Sequence, residues 1–574
     1  MAVCTHPFKA RPARYRHLRI AARAAAAALG IAMAQAYAAP GQAVDNIAIP
    51  PATRSTPIAL QIGHELHDIM AGHSEQAYRI DVPAGYVVQG NFRGQGVTLD
   101  LQDADGRHIR RLGMAHASTQ EFMWRVPASP QRLVVRAESE KPGRFELQLT
   151  RTLAPTAADT SSTAENQPKS PRLRALQEAL ADDRGTSAFW KEQSARGTPL
   201  VEPVSLQESL VTFLWRGKQE NVRLFGSPSG NHDPLTRLGD SDVWYASFVM
   251  PNTARLSYRL APDVPLVGGS AVDQRRVILA TVQRDPLNPS IYPPLASSAI
   301  DVFQGSSVLE LGQAPPQPWV RPRTDVVHGA YEHHRYTSAL LGNERDVWIY
   351  RPPGATPEAL LIVFDAHAYL EQVPTSTIVD NLMADGLIPP TAVVLLGNPS
   401  PQARGRELPP NAAFAAMLDK ELMPWIHTQG LAQPADRTVI AGSSYGGLAS
   451  AYAGLVNSHW FGNVLSLSGS YWWAPDGVMP GWMMREYARA EKRSLRFYID
   501  AGRYEAARGG RDGILETSRH LGDVLRAKGY AVTQVEHDTG HDYLHWQGSL
   551  GCGLVALLNA PLYARGLSAC TKSH

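Results

Sequence analysis

From about Glu332 to the C-terminus, short apolar runs alternate with longer segments of helical period, and this alternation limits the possible folds more than any other feature of the chain. The runs are "RDVWIYRP", "ALLIVFDA", "TAVVLLG", "DRTVIAG", "NVLSLSGS", "LRFYIDAG" and "VTQVEHDTGH"; among the segments between them are "NAAFAAMLDKELMPWIHT" and "ETSRHLGDVLRAKG". Strands that are apolar throughout must be covered on both faces. The pattern therefore predicts a mostly parallel sheet between layers of helices, an α/β domain over residues 325–574.

Upstream the period is two. Over residues 42–150, "QAYRIDVPAG", "GVTLDLQDADGRHIRRL" with Asp105-Gly106 as its turn, "FMWRVP", "RLVVRA" and "GRFELQLT" read as half-buried antiparallel strands. They predict a small β-sandwich that resembles the jelly-roll accessory domains of secreted bacterial hydrolases. Residues 151–172 include "TLAPTAADTSSTAENQPKSP", which lacks any apolar period and reads as a linker. A short helix, "PRLRALQEALADDRG", then opens a second β-rich module over 173–320, through "SLVTFLW", "NVRLFG", "DVWYASFVM" and "ARLSYRLA". Its strand spacing suits an immunoglobulin-like sandwich.

The first 38 residues carry Lys9, Arg11, Arg14, Arg16, Arg19 and Arg23 without an acid, then "AAAAALGIAMAQAYA" ending in Ala36-Tyr37-Ala38. This is the pattern of a cleaved export signal, and it implies a periplasmic or secreted protein. No later run approaches the ~18 apolar residues a membrane helix needs, so no span is expected in the mature chain. Removal of the six cations takes Lys plus Arg from 55 to 49 against 53 acids, so the balance becomes −4 and gives no footprint for nucleic acid. Cys4 leaves with the signal. Cys552 and Cys570 remain; an oxidising compartment would let them pair, the alternative being two buried thiols.

Gly442-Ser443-Ser444-Tyr445-Gly446 is a G-x-S-x-G motif set between the strand "RTVIA" and the small-residue helix "GGLASAYAGLV". In that setting the serine stands on a sharp turn, with glycines two positions away where side chains would collide, and with the N-terminus of a helix beside its hydroxyl. The Tyr445 N–H is then one oxyanion donor, and the backbone of Ala366 or His367, after "LLIVFD", supplies a second. A base and its orienting acid should follow in the order acid, histidine. The acid candidates are Asp500 and Glu505 of "RFYIDAGRYE", and the base candidates His537, His541 and His545 of "EHDTGHDYLHW". His541, in a turn after Gly540, is the best placed.

With these residues in view, the stretch from about 188 to 566 resembles the enterochelin (enterobactin) esterase family. The likeness is carried by "DVWYASF", "DPLNP", "RGRELPPNAAF", "DRTVIAGSSYGGLASAYAGL", "LSLSGSYWWAP" and "GHDYLHWQGSL". It implies an α/β-hydrolase domain behind an immunoglobulin-like module, with Ser444 as nucleophile, His541 as base and Glu505 as acid, Asp500 being the fallback. It also implies a serine esterase acting on the trilactone of catecholate siderophores, in which no cofactor or protein-bound metal takes part and iron arrives with the substrate. Such a substrate is anionic and flat, so guanidinium groups and aromatic faces should meet it: Arg404, Arg406, Trp472, Trp473 and Trp546, with Trp244 a weaker candidate. An internal pair of Arg404 with Glu407 is the structural alternative. The rival activities are a secreted feruloyl or acetyl esterase acting on carbohydrate esters, and a siderophore-binding protein that has lost catalysis.

Overall fold

The computed structural model describes residues 57–115, 119–156, 167–294, 301–507 and 512–570. The expected export segment 1–38, the first residues of the 42–150 module and residues 157–166 of the expected linker lie outside them.

From Ile58 to Leu153 the period-two stretches form two sheets. In spatial order one contains Ile58–Ala59, Glu75–Arg79, Gln131–Ala137, Val97–Asp103 and His108–Gly113; the other contains Glu65–Met70, Gly143–Leu153, Val87–Gln95 and Gln120–Arg125. Phe145, Leu147 and Leu149 share one core with Leu99, Leu133 and Val135 of the opposite sheet. At the predicted turn the Asp103 N–H donates to the Arg107 carbonyl at 3.0 Å, and Gly106 takes φ 86°.

The helix Pro171–Ala181 begins where Ser170 Oγ accepts from the Leu173 N–H at 3.2 Å and proline occupies the first turn. After a second helix, Ser187–Arg196, come two four-stranded sheets. Phe213 and Trp244 of one meet Leu224, Leu256 and Tyr258 of the other in a shared core. In the strand Arg255–Pro262, Leu256, Tyr258 and Leu260 enter that core, so Ser257 and Arg259 lie on the opposite face.

The C-terminal sheet has eight strands: β1 (Tyr331–Ser338), β2 (Asn343–Tyr350), β3 (Ala359–Phe364), β4 (Thr391–Leu396), β5 (Thr438–Ser443), β6 (Asn463–Leu467), β7 (Arg496–Gly502) and β8 (Ala531–His537). Their order is β1-β2-β4-β3-β5-β6-β7-β8. β2 runs antiparallel to both its neighbours, and every other pair is parallel. Along β3, Leu360, Ile362 and Phe364 enter one core while Leu361 and Val363 enter another, which is why these strands are apolar throughout. The helices that matter below are α1 (Ala366–Glu371), α2 (Pro401–Glu407), α3 (Tyr445–Val456), α4 (Ile514–Ala527) and α5 (Tyr543–Leu558). A disulfide joins Cys552 of α5 to Cys570, with the Cα atoms 5.5 Å apart. Among the described residues no helix is long and apolar enough to cross a membrane.

Candidate active site

Three adjacent strands end on residues forced to positive φ: Asp365 after β3 at 61°, Ser444 after β5 at 59° and Ser468 after β6 at 46°. None is glycine, and each such conformation costs about 1–3 kcal/mol, so their clustering at one sheet edge marks a site rather than a fold requirement. Ser444 is held there by its N–H, which donates to the Leu467 carbonyl at 2.9 Å, and it caps α3. The glycines explain the turn, with one correction to the expected collisions. A Cβ on Gly442 would lie 2.7 Å from the Gly446 carbonyl carbon, and one on Gly447 would lie 2.6 Å from Ser466 Oγ; at Gly446 the nearest atom, Asp365 Oδ2, is 3.4 Å away, an ordinary contact.

Glu505 follows β7 in a short 3₁₀ turn and is buried. Its Oε2 accepts from the Gly502 N–H and from Ser468 Oγ, both at 2.7 Å, which leaves Oε1 to meet His541 Nδ1 at 2.6 Å. The Ser468 hydroxyl in turn accepts from Trp546 Nε1 at 3.0 Å. A single hydrogen-bonded chain thus runs from Trp546 of α5 through the Ser468 and Glu505 side chains to the imidazole. Asp500, the other acid considered, faces elsewhere: it accepts from the Ser468 N–H at 3.0 Å and pairs with His545 Nε2 at 3.0 Å, deep in the core. Burial by itself would raise its carboxyl pKa, but the bond from His545 keeps it below the usual range. His537 packs on His545 with ring centres 4.3 Å apart, and burial drives its pKa down to about 3.

Ser444 and His541 open into one cavity of about 1000 Å³. They are not hydrogen-bonded to each other; Ser444 Oγ lies 3.4 Å from Ser470 Oγ. Unliganded sites often hold such groups loosely, closing the bond only around substrate. Of the five expected substrate contacts the cavity receives only Trp472, whose side chain is largely exposed and whose ring sits 6.1 Å from that of Tyr445. Trp546 is 2% exposed, because α5 is surrounded by protein, and its ring meets the edge of His541 from beneath at 4.8 Å. Trp473 packs on the core against Trp482. Arg406 is exposed away from the cavity, and its carbonyl accepts from Asn411. Arg404 is spent on Asp365, with contacts of 2.6 and 2.7 Å. Burial disfavours its charge, yet the paired carboxylate holds its pKa above the ordinary arginine value. The expected alternative partner, Glu407, binds Arg345 at 2.9 Å. Trp244 lies in the core of the second β-module. As for the oxyanion turn, Ala366 is buried, the His367 and Trp348 rings lie 5.1 Å apart, and Ala366, His367 and Tyr445 are not among the residues that line the cavity.

Comparison with known proteins decides what this geometry belongs to. The enterochelin esterase N-terminal domain matches residues 210–320, and the esterase family matches 338–557. An iron(III) enterobactin esterase from Dickeya dadantii is 30% identical over 417 residues, spanning 65% of this chain and 93% of its own length. The chain belongs to the enterochelin esterase family. It is a carboxylic ester hydrolase, and its C-terminal sheet is that of an esterase-type α/β hydrolase. An iron(III) enterobactin esterase from Escherichia coli is likewise 30% identical, across 65% of this chain and 96% of its own. A crystal structure of the enterobactin esterase from Shigella flexneri, obtained in the presence of enterobactin, matches with a TM-score of 0.54 and 28% identity, over 66% of this chain and 99% of that one.

The family frame also shows which site residues sequence reasoning passed over. Ser468 lies in the quoted "LSLSGSYWW", yet only its place at the end of β6, beside Glu505, reveals its use. Phe225, Ser227, Arg259 and Tyr292 come from the second β-module and line the hydrolase cavity. No local signal in the sequence pairs those strands with Ser444.

Proposed function

We propose that this enzyme hydrolyses the trilactone ester bonds of enterobactin-type catecholate siderophores, ferric or iron-free, with iron entering only as the substrate's cargo and with no resident cofactor. The observation that carries the chemistry is the relay Trp546–Ser468–Glu505–His541, which ends in the same cavity as the strained Ser444. With His541 Nδ1–H engaged by Glu505, Nε2 holds the lone pair that takes the Ser444 proton as the hydroxyl attacks a seryl ester carbonyl. The Tyr445 N–H, at the start of α3, and the Ala366 or His367 N–H, at the start of α1, stabilise the oxyanion. His541 then protonates the leaving alkoxide, and water activated by the same imidazole cleaves the acyl-enzyme. The substrate class follows from the enterobactin esterases of similar sequence and from a cavity broad enough for a large ester.

In this reading the chain comprises an export signal (1–38), a jelly-roll-like module (42–150), a linker (151–172), an immunoglobulin-like module (173–320) and the hydrolase domain (325–574). The paired sheets that share one core in each β-module support the two sandwiches. The Cys552–Cys570 bond accords with a periplasmic enzyme, since such bonds persist in oxidising compartments.

The test is to incubate the purified enzyme and a Ser444→Ala variant with ferric and iron-free enterobactin and to follow linear fragments by chromatography. The wild type should release them, and the variant should be slower by a factor on the order of 10⁶. Equal background conversion by both, or turnover of feruloyl esters with the trilactone left intact, would overturn the proposal.

A further inference from the structure

Most charged groups that line the cavity and are described here are already engaged. Glu505 binds His541, and Asp542 accepts from the Ser257 N–H at 2.5 Å and the Leu544 N–H at 3.0 Å. Asp512 is exposed at the cavity edge, and Arg259 is the only Lys or Arg among the described residues that line the cavity. Arg259 stands on the outer face of the strand Arg255–Pro262, directly across from Phe225, and its guanidinium carbon lies 4.7 Å from the centre of the Phe225 ring. Among the described residues its side chain is half-buried, and its Nε is shut off from solvent without a hydrogen-bond partner. Burial lowers its pKa to about 10, so it stays charged at neutral pH.

Its surroundings do nothing to neutralise it. Arg110, from the first β-module, is near enough that the charge of Arg259 disfavours its own. Arg110 is fixed in place by the carbonyls of Met123, Leu279 and Ala280 and by the face of Phe303, 4.6 Å away. The Arg259 guanidinium is part-exposed to the cavity with its Nε enclosed, so an anion entering the cavity can meet it without a competing carboxylate on its own strand. What distinguishes Arg259 from the other arginines with an enclosed Nε, Arg110, Arg284 and Arg345, is that it lines the cavity. The cavity wall says which kind of anion fits: a planar fork stacked on an aromatic ring, with Tyr292 and Trp472 also facing the cavity, suits a flat, oxygen-bearing anion and not a compact one.

We propose that Arg259 and Phe225 form the subsite that receives an anionic catechol-type ring of the substrate, so that the β-module and not the hydrolase domain reads the charge of the ligand. This rests on the siderophore reading for the identity of the ring, but its test does not. In the full-length enzyme, hydrolysis of the neutral ester p-nitrophenyl butyrate is measured against two competitors, 2,3-dihydroxybenzoate and uncharged benzamide. Arg259→Gln should weaken inhibition by the dihydroxybenzoate at least about tenfold relative to benzamide, the scale of a lost charge-assisted contact. Arg259→Lys, which keeps the charge but loses the flat fork, should fall between and serves if the glutamine variant does not fold. The ester signal itself reports folded enzyme. Inhibition by the two competitors that shifts equally, or not at all, in both variants would overturn the assignment. Loss of dihydroxybenzoate selectivity together with an uncut trilactone would sustain the subsite and sink the substrate reading.

Discussion

Two carboxylate–imidazole pairs lie within a few residues of each other in sequence, and their fates differ. Glu505 and His541 meet at 2.6 Å, and the histidine side chain is 43% exposed, facing the cavity. Asp500 and His545 meet at 3.0 Å with exposures of 0% and 8%. The chemistry of the two pairs is nearly the same; what separates them is which side of the sheet edge each reaches. β7 ends at Gly502, so Asp500, still within the strand, is enclosed in the core, and Glu505 follows the strand in the next turn. A side chain at Gly502 would meet the Thr539 carbonyl at 2.3 Å, so the close approach of the two loops that brings Glu505 to His541 depends on that glycine. Two similar carboxylate–imidazole pairs thus end in different surroundings, one open to the cavity at the rim and one enclosed in the core a turn below it.

The sharpest way to break the comparison is to neutralise each acid in turn. Glu505→Gln should lower kcat by roughly 10³ to 10⁴ without large loss of stability, because the imidazole loses its orienting acceptor. Asp500→Asn should do the reverse, destabilising the fold by about 1–3 kcal/mol while leaving turnover of the folded fraction within a few-fold. Steady-state kinetics paired with denaturant unfolding of both variants reads the two effects separately. Matching kinetic losses would mean that both pairs serve the reaction.

The extent to which this division was legible from sequence follows from the distance over which each feature is encoded. The α/β sheet, the serine turn and His541 are written locally, in runs of a few residues whose period or glycine spacing dictates the backbone, and the structure places them accordingly. Glu505 over Asp500 was indicated by resemblance, and the structure's reason, a loop-to-loop approach at Gly502, has no local trace. The aromatic and basic candidates fared worst. Trp546 and Arg404 sit beside the motif residues in sequence, but a helix periodic on all sides, as α5 is, gives no sign of which face meets solvent, and Arg404 turns to an aspartate 39 positions away. Arg259 was invisible for the opposite reason: its strand alternates normally, and only the packing of one module on another turns its outer face into a cavity wall.

A second contrast concerns protons. His537 belongs to the buried group and has no partner for Nε2, and burial holds its pKa near 3. The unfolded value is about 6.5, so between these limits the unfolded chain binds more protons and stability falls as the pH is lowered. The loss begins below about pH 6.5 and levels off once both states are protonated, below about pH 3. It should reach the order of 5 kcal/mol. Unfolding free energies measured from pH 7 to 4 on the wild type and on His537→Gln would show the slope and its removal. Parallel curves for the two proteins would place the acid sensitivity elsewhere.

The smallest expected effect tests how far the rim pair depends on the core beneath it. Trp546 reaches Glu505 only through the Ser468 hydroxyl, so Trp546→Phe removes one N–H donor and keeps the ring that packs against His541. If the indole serves only as packing, the variant should lose little. If the relay orients Glu505, the freed Ser468 hydroxyl can rotate away from the carboxylate, and kcat should fall about tenfold at unchanged KM, in line with the cost of one neutral hydrogen bond of about 1 kcal/mol. Denaturant unfolding discriminates further. A packing defect would instead lower the unfolding free energy of the variant together with its kcat.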